Sequence, residues 1–262
     1  MARRPTAYVT PRRATLPVLR LLIKGCFERS VRRAPVRTLC YQILLPTAVI
    51  WFLTFLDTGA TPRTGWPTIA IAGTVWLLFA NSVNYGGMVL WHERWLLRQA
   101  GVPAWLLLVA AALVPIGLFG VHLSLVHLAL LASSFPQGGA PVKTLFAGGI
   151  AATSGLGAGI LASRLTAFRP NFAFALPKFL LASLVLTPVL YPLSALDGVK
   201  DAWCLANPLC VATELARADI SFQSEDLPRH AITLACALSG AILSWGLLTL
   251  SMPSPSFAND HA

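Results

Sequence analysis

The stretch AWLLLVAAALVPIGLFGVHLSLVHLALLA, Ala104 to Ala132, decides what kind of chain this is. It holds no Asp, Glu, Lys or Arg, and the charge-free run around it extends from Gln99 to Val142. A helix needs roughly 20 apolar residues to cross a hydrocarbon core about 30 Å thick. A charge at its centre costs roughly 2.5–3.5 kcal/mol. The stretch is long for one crossing, so it tilts, protrudes, or bends near Pro115 and Gly117. Thr64–Trp91, Thr144–Ser163, Phe179–Leu196 and His230–Asn259 are charge-free as well. This pattern predicts an all-α protein that crosses a bilayer several times.

The whole composition agrees. Of 262 residues, 56% are hydrophobic and 11% charged, with a mean hydropathy of +0.68; a soluble chain has about 25% charged residues. No Ser-rich or Pro-rich linker divides the chain and no repeat is visible, so it reads as one membrane domain. Six spans are predicted, at Leu39–Leu56, Thr68–Leu90, Ala104–Ala132, Val142–Ser163, Leu176–Leu193 and Ala231–Met252. Thr58-Gly59, Pro62, Pro67, Gly101, Pro103, Pro136, Pro141 and Pro170 separate them. Residues 1–38 form a basic tail, 39–252 the membrane domain and 253–262 a short end piece.

Charge sets the orientation. The formal net charge is +10. Arg3, Arg4, Arg12, Arg13, Arg20, Lys24, Arg29, Arg32, Arg33 and Arg37 precede the first span, against Glu28 alone. Arg94 and Arg98 follow the second span, and Arg164, Arg169 and Lys178 follow the fourth. The alternate connections lack such an excess. The positive-inside rule then puts both termini in the cytoplasm of a multi-pass protein. For a bacterial cell this means the inner membrane. A secretory signal would reach an apolar core sooner; a transit peptide is the other reading of the basic start. The basic residues sit where topology alone would place them, so nucleic acid is not an expected partner.

Three segments between spans carry chemistry. Leu19, Leu22, Ile23, Cys26, Phe27 and Val31 recur at helical spacing, and Arg20, Lys24, Glu28 and Arg32 form an i, i+4 ladder on another face. The result is either an interfacial helix, apolar side down, able to brace a cytoplasmic partner, or a tail that fixes topology. The second segment, Trp91–Pro103, carries Glu93, Arg94, Trp95, Leu96, Leu97 and Arg98. It reads as a short cytoplasmic helix offering Trp95, Leu96 and Leu97 to an apolar groove, or as an extension of the second span with snorkelling charges. The third, Ser194–Arg229, holds Asn207-Pro208-Leu209 and then Glu214 and Arg217 three residues apart. Leu205, Leu209, Val211 and Leu215 are too apolar for a free loop, so a re-entrant pair of half-helices at the outer face is expected. A surface loop over a small apolar cluster is the alternative.

Within the spans few polar groups occur. Asn81 and Asn84 sit on one helix face, for helix packing or for a cavity. Trp51, Phe52, Phe55, Trp76 and Phe79 load the first two spans with rings that either line a sugar conduit or anchor in lipid. Gly148, Gly149, Gly155, Gly157 and Gly159 favour close helix contacts. His122 and His127 are five apart and do not share a face, so no metal site is expected. Cys204 and Cys210 are either a disulfide on the outer side or two small buried apolar residues. No Asp, Glu, Lys or Arg falls clearly inside a span, and no phosphate-binding loop of the G-x-x-x-x-G-K-[ST] type occurs. Uphill transport by this chain would draw its energy from another one.

The same segments carry a resemblance. Ile71-Ala-Gly73-Thr-Val-Trp76-Leu-Leu-Phe79-Ala-Asn81-Ser-Val is similar to the second span of bacterial ABC exporter permeases for polysaccharides. His92-Glu93-Arg94-Trp-Leu96-Leu97-Arg98 leading to Pro103 resembles that family's coupling segment. Gly155-Leu-Gly157 through Phe168-Arg169-Pro170 fits its fourth span and the loop after it. Leu186-Thr187-Pro188-Val189-Leu190-Tyr191-Pro192-Leu193, then Ala206-Asn207-Pro208-Leu209, then Glu214-Leu215-Ala216-Arg217, follow its order and spacing. The capsular-polysaccharide type is the nearest within the group. Two departures stand out: the entry to the first span keeps only Pro46 of the family pattern, and the chain ends in Asn259-Asp260 in place of a basic tail.

The resemblance implies a homodimeric pore of six spans per protomer. A separate cytoplasmic ATP-binding subunit, holding ATP and Mg, would drive it through Glu93–Arg98, with the interface helix (Arg20, Lys24, Phe27, Glu28, Arg32) bracing that partner. No cofactor would sit on this chain. A capsular or related polysaccharide would pass outward along aromatic and amide side chains, with Trp51, Phe55, Trp76, Phe79, Asn81, Asn84 and Tyr191 as candidates. Asn207, Pro208, Glu214 and Arg217 would belong to the outer re-entrant segment. Periplasmic and outer-membrane export proteins would receive the polymer. An exporter of O-antigen, teichoic acid or another glycolipid is the alternative within the class; a polytopic membrane transferase is the alternative outside it.

Overall fold

A computed structural model describes residues 15–27, 48, 66–99, 104–132, 141–169, 171–191, 206–220 and 229–251. The expected first span, with Trp51 and Phe55, lies outside them apart from Ala48. Among the described residues all regular structure is helical: α1 (Thr15–Phe27), α2 (Trp66–Gln99), α3 (Ala104–Ala132), α4 (Val142–Phe168), α5 (Phe172–Leu186), α6 (Pro208–Arg217) and α7 (Arg229–Ser251). Four of them contain stretches long and apolar enough to cross a membrane: Trp66–Gly87, Trp105–Ala132, Val142–Thr166 and Arg229–Thr249. These match the second, third, fourth and sixth spans read from the sequence. α3 continues through Pro115 as one helix.

Two elements differ from the reading. The fifth span was expected to run Leu176–Leu193, but α5 stops at Leu186 after 15 residues. At 1.5 Å per residue that is about 22 Å, short of a bilayer core. Proline is the cause. Thr187 precedes Pro188 and takes the extended conformation, φ −91° and ψ 138°, because the proline ring excludes the α region from the residue before it. The second difference is in α2, which runs 34 residues without a break. Trp91–Gln99 is its continuation and not a separate helix. No breaker stands between Leu90 and Trp91, and the next ones are Gly101 and Pro103.

Packing centres on α4. A side chain at Gly155 would put its Cβ 2.7 Å from the Phe79 carbonyl oxygen and 2.8 Å from Ser82 Cβ, on α2. One turn later, Gly159 lies against Val83 and Gly87 of the same helix. Gly157 faces the other way: a Cβ there would lie 2.6 Å from the Leu243 backbone nitrogen of α7. Gly246 in turn meets Gly157 and Ile160. Backbone therefore touches backbone on both sides of α4, which only residues without a side chain permit. In both pairs the contact positions rise together along the two chains, so α2, α4 and α7 run parallel. α3 runs the other way: Phe119 rests on Gly148, and Leu156 joins Leu107, Ala110 and Ala111.

The main apolar core gathers Ile71, Val75 and Leu78 of α2, Phe119 and Leu123 of α3, Ile150 of α4, and Leu209, Val211 and Leu215 of α6. Outward, α3 shows Trp105, Val109, Leu113, Ile116, Leu125 and Leu128. Lipid tails are as apolar as these side chains, so such a face has no cost in a bilayer. Charges fall at the two ends of the bundle. At one end are Arg20, Lys24, Arg94, Arg98, Arg164, Arg169 and Lys178 with Glu93; at the other, Lys143, Arg217 and Arg229 with Glu214 and Asp219.

Candidate functional site

The break after α5 creates a chemical demand. A helix end leaves its last four carbonyls without intrahelical partners, and here the end falls within a stretch of apolar sequence. Several groups around the break find partners. The Thr187 amide donates to the Ser183 carbonyl at 2.9 Å, and the Val189 amide to the Thr187 carbonyl at 2.6 Å. Tyr191 donates its hydroxyl to the Val185 carbonyl at 2.9 Å. Arg217 reaches across from α6 and donates Nη2 to the Val189 carbonyl at 2.8 Å. Thr187 and Val189 are almost fully buried. Irregular backbone at this depth survives because protein surrounds it and supplies donors.

Arg217 sits where a cation is hardest to place, 5% exposed. It is paired with Glu214, one turn back on α6, through Nη1. α6 itself is short and packs against α2, α4 and α7. Its start is set locally: Asn207 is extended and accepts the Leu209 amide through its side-chain oxygen at 3.0 Å, with Pro208 in the first helical position. Both are standard helix-start residues. Cys210, Val211, Ala212, Thr213 and Ala216 are buried on it. Cys210 is fully buried on α6; Cys204, the other half of the expected pair, lies outside the described residues.

A second clamp follows two residues later, just past the end of α6. Asp219 accepts the Thr144 amide at 2.6 Å and the Thr144 hydroxyl at 2.7 Å. Thr144 is in the first turn of α4, whose preceding residue Pro141 gives no side-chain cap. A carboxylate there satisfies an unpaired donor and meets the positive end of the helix dipole. Lys143 Nζ also donates to the Ala218 carbonyl at 3.5 Å. The sequence offers no sign of the Asp219–Thr144 pair, which spans 75 residues. The α5 break was visible in Thr187-Pro188.

The conduit candidates divide. Trp76, Phe79 and Asn81 are half-buried on α2, and Asn84 is exposed. At 100° per residue, Trp76 and Phe79 form one face and Asn81 and Asn84 another, about 140° away. A single lining on α2 uses one pair or the other. Trp76 donates its ring N–H to the Ser183 hydroxyl at 3.1 Å, which joins α2 to α5. Tyr191 is half-buried and its hydroxyl is engaged as described.

At the basic end, α1 lays Leu19, Leu22 and Ile23 against Leu107, Ala110 and Ala111 of α3. Arg20, Leu21 and Lys24 face outward. The apolar side expected to lie on lipid is thus on protein. Phe27 ends the helix; Glu28 and Arg32 lie outside the described residues. Glu93, Arg94, Trp95, Leu96, Leu97 and Arg98 form the last turns of α2.

His122 is buried and donates Nδ1 to the Leu118 carbonyl at 2.9 Å; His127 does the same to Leu123 at 2.9 Å. Each is committed to its own helix. Among the described residues no three His, Cys, Asp or Glu side chains converge as a metal site would require. Compared with known proteins, the chain matches no family model and no curated protein.

Proposed function

We propose that this chain is the permease subunit of an ATP-driven exporter, moving a capsular or related polysaccharide out of the cytoplasm. The basic end of the bundle is the cytoplasmic one by the positive-inside rule. α6 is then a re-entrant element on the outer side, beside the broken fifth span. The protein works as a homodimer of six-span protomers, and a separate ATP-binding subunit supplies the energy.

The observation that carries this reading is the length of α2. Its charge-free run ends at Trp91, yet the helix continues to Gln99. Eight further residues add about 12 Å beyond it. Any partner that pushes on Glu93–Arg98 moves a rod against which α3, α4 and α6 are all packed. Nucleotide turnover elsewhere would in this way reach the outer-side clamps of Arg217 and Asp219. The polymer would slide on many weak contacts, with Tyr191 and, on α2, either Trp76 and Phe79 or Asn81 and Asn84 the described candidates.

Co-expression with candidate ATP-binding subunits tests the reading. One should co-purify, and Glu93→Ala with Arg94→Ala should abolish export while leaving the protein in the membrane. Export that survives the double change, or transport by this chain alone in vesicles, overturns it. Capsular polymer and lipid-linked O-antigen or teichoic acid, offered in parallel, identify the cargo. The transferase alternative predicts chemistry on a purified substrate without nucleotide. Glu214 and Asp219, the outer-end acids among the described residues, are engaged by Arg217 and Thr144, which favours a structural role for both.

A further inference from the structure

The outward side of α1 is a cationic surface held at a fixed depth. Leu107, Ala110 and Ala111 lie three to seven residues into α3. At 1.5 Å per residue, α1 therefore rests about 5–11 Å from the end of that helix. Interfacial helices settle about 5–10 Å into the headgroup and acyl boundary. Trp105, in the first turn of α3, is 52% exposed, and tryptophan favours the same level. On the free side of α1, Arg20 and Lys24 are one turn apart, with Leu21 between them 68% exposed. Among the described residues, Arg94, Arg98, Arg164, Arg169 and Lys178 share this end with one acid, Glu93.

We infer that this face of α1 binds anionic glycerophospholipid headgroups of the cytoplasmic leaflet. Arg20 and Lys24 take the phosphates, and Leu21 takes the acyl chains. The alternation of apolar and cationic side chains on α1 selects a lipid surface over an acidic protein, which would leave Leu21 facing water. Because α1 is pinned to α3, a bound lipid steadies a transmembrane helix as well as the helix it touches. The inference rests on the orientation given above and on no property of transport.

The test titrates the purified full-length protein, in neutral detergent, with phosphatidylglycerol or phosphatidylcholine and reads the thermal unfolding midpoint. Phosphatidylglycerol should raise it at concentrations where phosphatidylcholine does not. With about 1 kcal/mol for each cation at an anionic surface, Arg20→Gln with Lys24→Gln should need roughly tenfold to thirtyfold more phosphatidylglycerol. Added salt should weaken the effect, and glycerol phosphate without acyl chains should have none. Equal response to both lipids, an unshifted titration in the double variant, or full activity of glycerol phosphate overturns the inference. Should the double variant fail to fold, Lys24→Gln and the salt dependence of the wild-type protein decide it, since an effect indifferent to salt is not headgroup recognition. Neither nucleotide nor polymer enters the assay, so its failure and the failure of the export reading are separate results.

Discussion

α4 and α7 look alike in sequence and lie in opposite surroundings. Both are membrane-length helices, parallel and in backbone contact at Gly157. Yet 61% of the membrane-length stretch of α4 is buried and only 22% of that of α7. Hydropathy does not foretell this. The order from most to least apolar is α3, α7, α4, α2, whereas α2 is the most buried at 72%. In water the more apolar helix goes inside. Here the surrounding medium is itself apolar, so helices that face it must be apolar and helices that face protein need not be. What marks α4 as central is glycine on two faces, at Gly155 and Gly159 towards α2 and at Gly157 towards α7. α7 has Gly240 open to space and Gly246 alone in contact.

The contrast can be broken most sharply at the glycines. Gly157→Leu drives a side chain into the Leu243 backbone, which has no room to retreat, and should cost about 3 kcal/mol or more. Gly240→Leu should stay within about 0.5 kcal/mol. Unfolding by sodium dodecyl sulfate in mixed micelles measures both, and equal losses would erase the distinction between the helices. Next in size is Ala241→Lys, at the middle of the exposed face of α7. If that face meets lipid, the change should cost roughly 2.5–3.5 kcal/mol in the same assay; a negligible loss would mean it lines water.

A smaller effect separates the starts of the two helices. Asp219→Ala removes the acceptor of the Thr144 amide and should cost about 1–2 kcal/mol. Hydrogen exchange should speed at the first turn of α4 and stay unchanged in α7. Smallest is Trp76→Phe, which loses one hydrogen bond to Ser183, worth about 1 kcal/mol. It should loosen α5, seen as faster exchange at its C-terminal turn, with α4 and α7 unaffected.

Much of the fold was legible because the bilayer forces it. A crossing helix must be apolar over a set length, and charge must collect at its ends, so the spans containing Ala104–Ala132 and Val142–Ser163 show in sequence alone. The small-residue stripe of α4 was readable for the same reason: close approach in lipid needs small side chains. Of those glycines, Gly149 has nothing near it, since spacing alone does not say which face meets a neighbour. The fifth span was over-extended because its apolar run hides Thr187-Pro188, where backbone geometry outranks hydropathy. The apolar side of α1 was assigned to lipid because lipid and the start of α3 offer it the same chemistry. Arg217 and Asp219 serve carbonyl and amide groups on distant elements, and local pattern carries no record of such partners.

One consequence of the Gly155–Gly159 seam concerns motion. Side chains between helices act as bearings, and along this seam main chain meets main chain at Gly155, Gly157 and Gly159. Their ridged main chains mesh, so sliding one past another would lift the whole surface over atom after atom. α2, α4 and α7 must therefore travel together as a single stiff block. Any change of shape falls on what surrounds it: the tilt of α3, the hinge at Thr187, and the seating of α6.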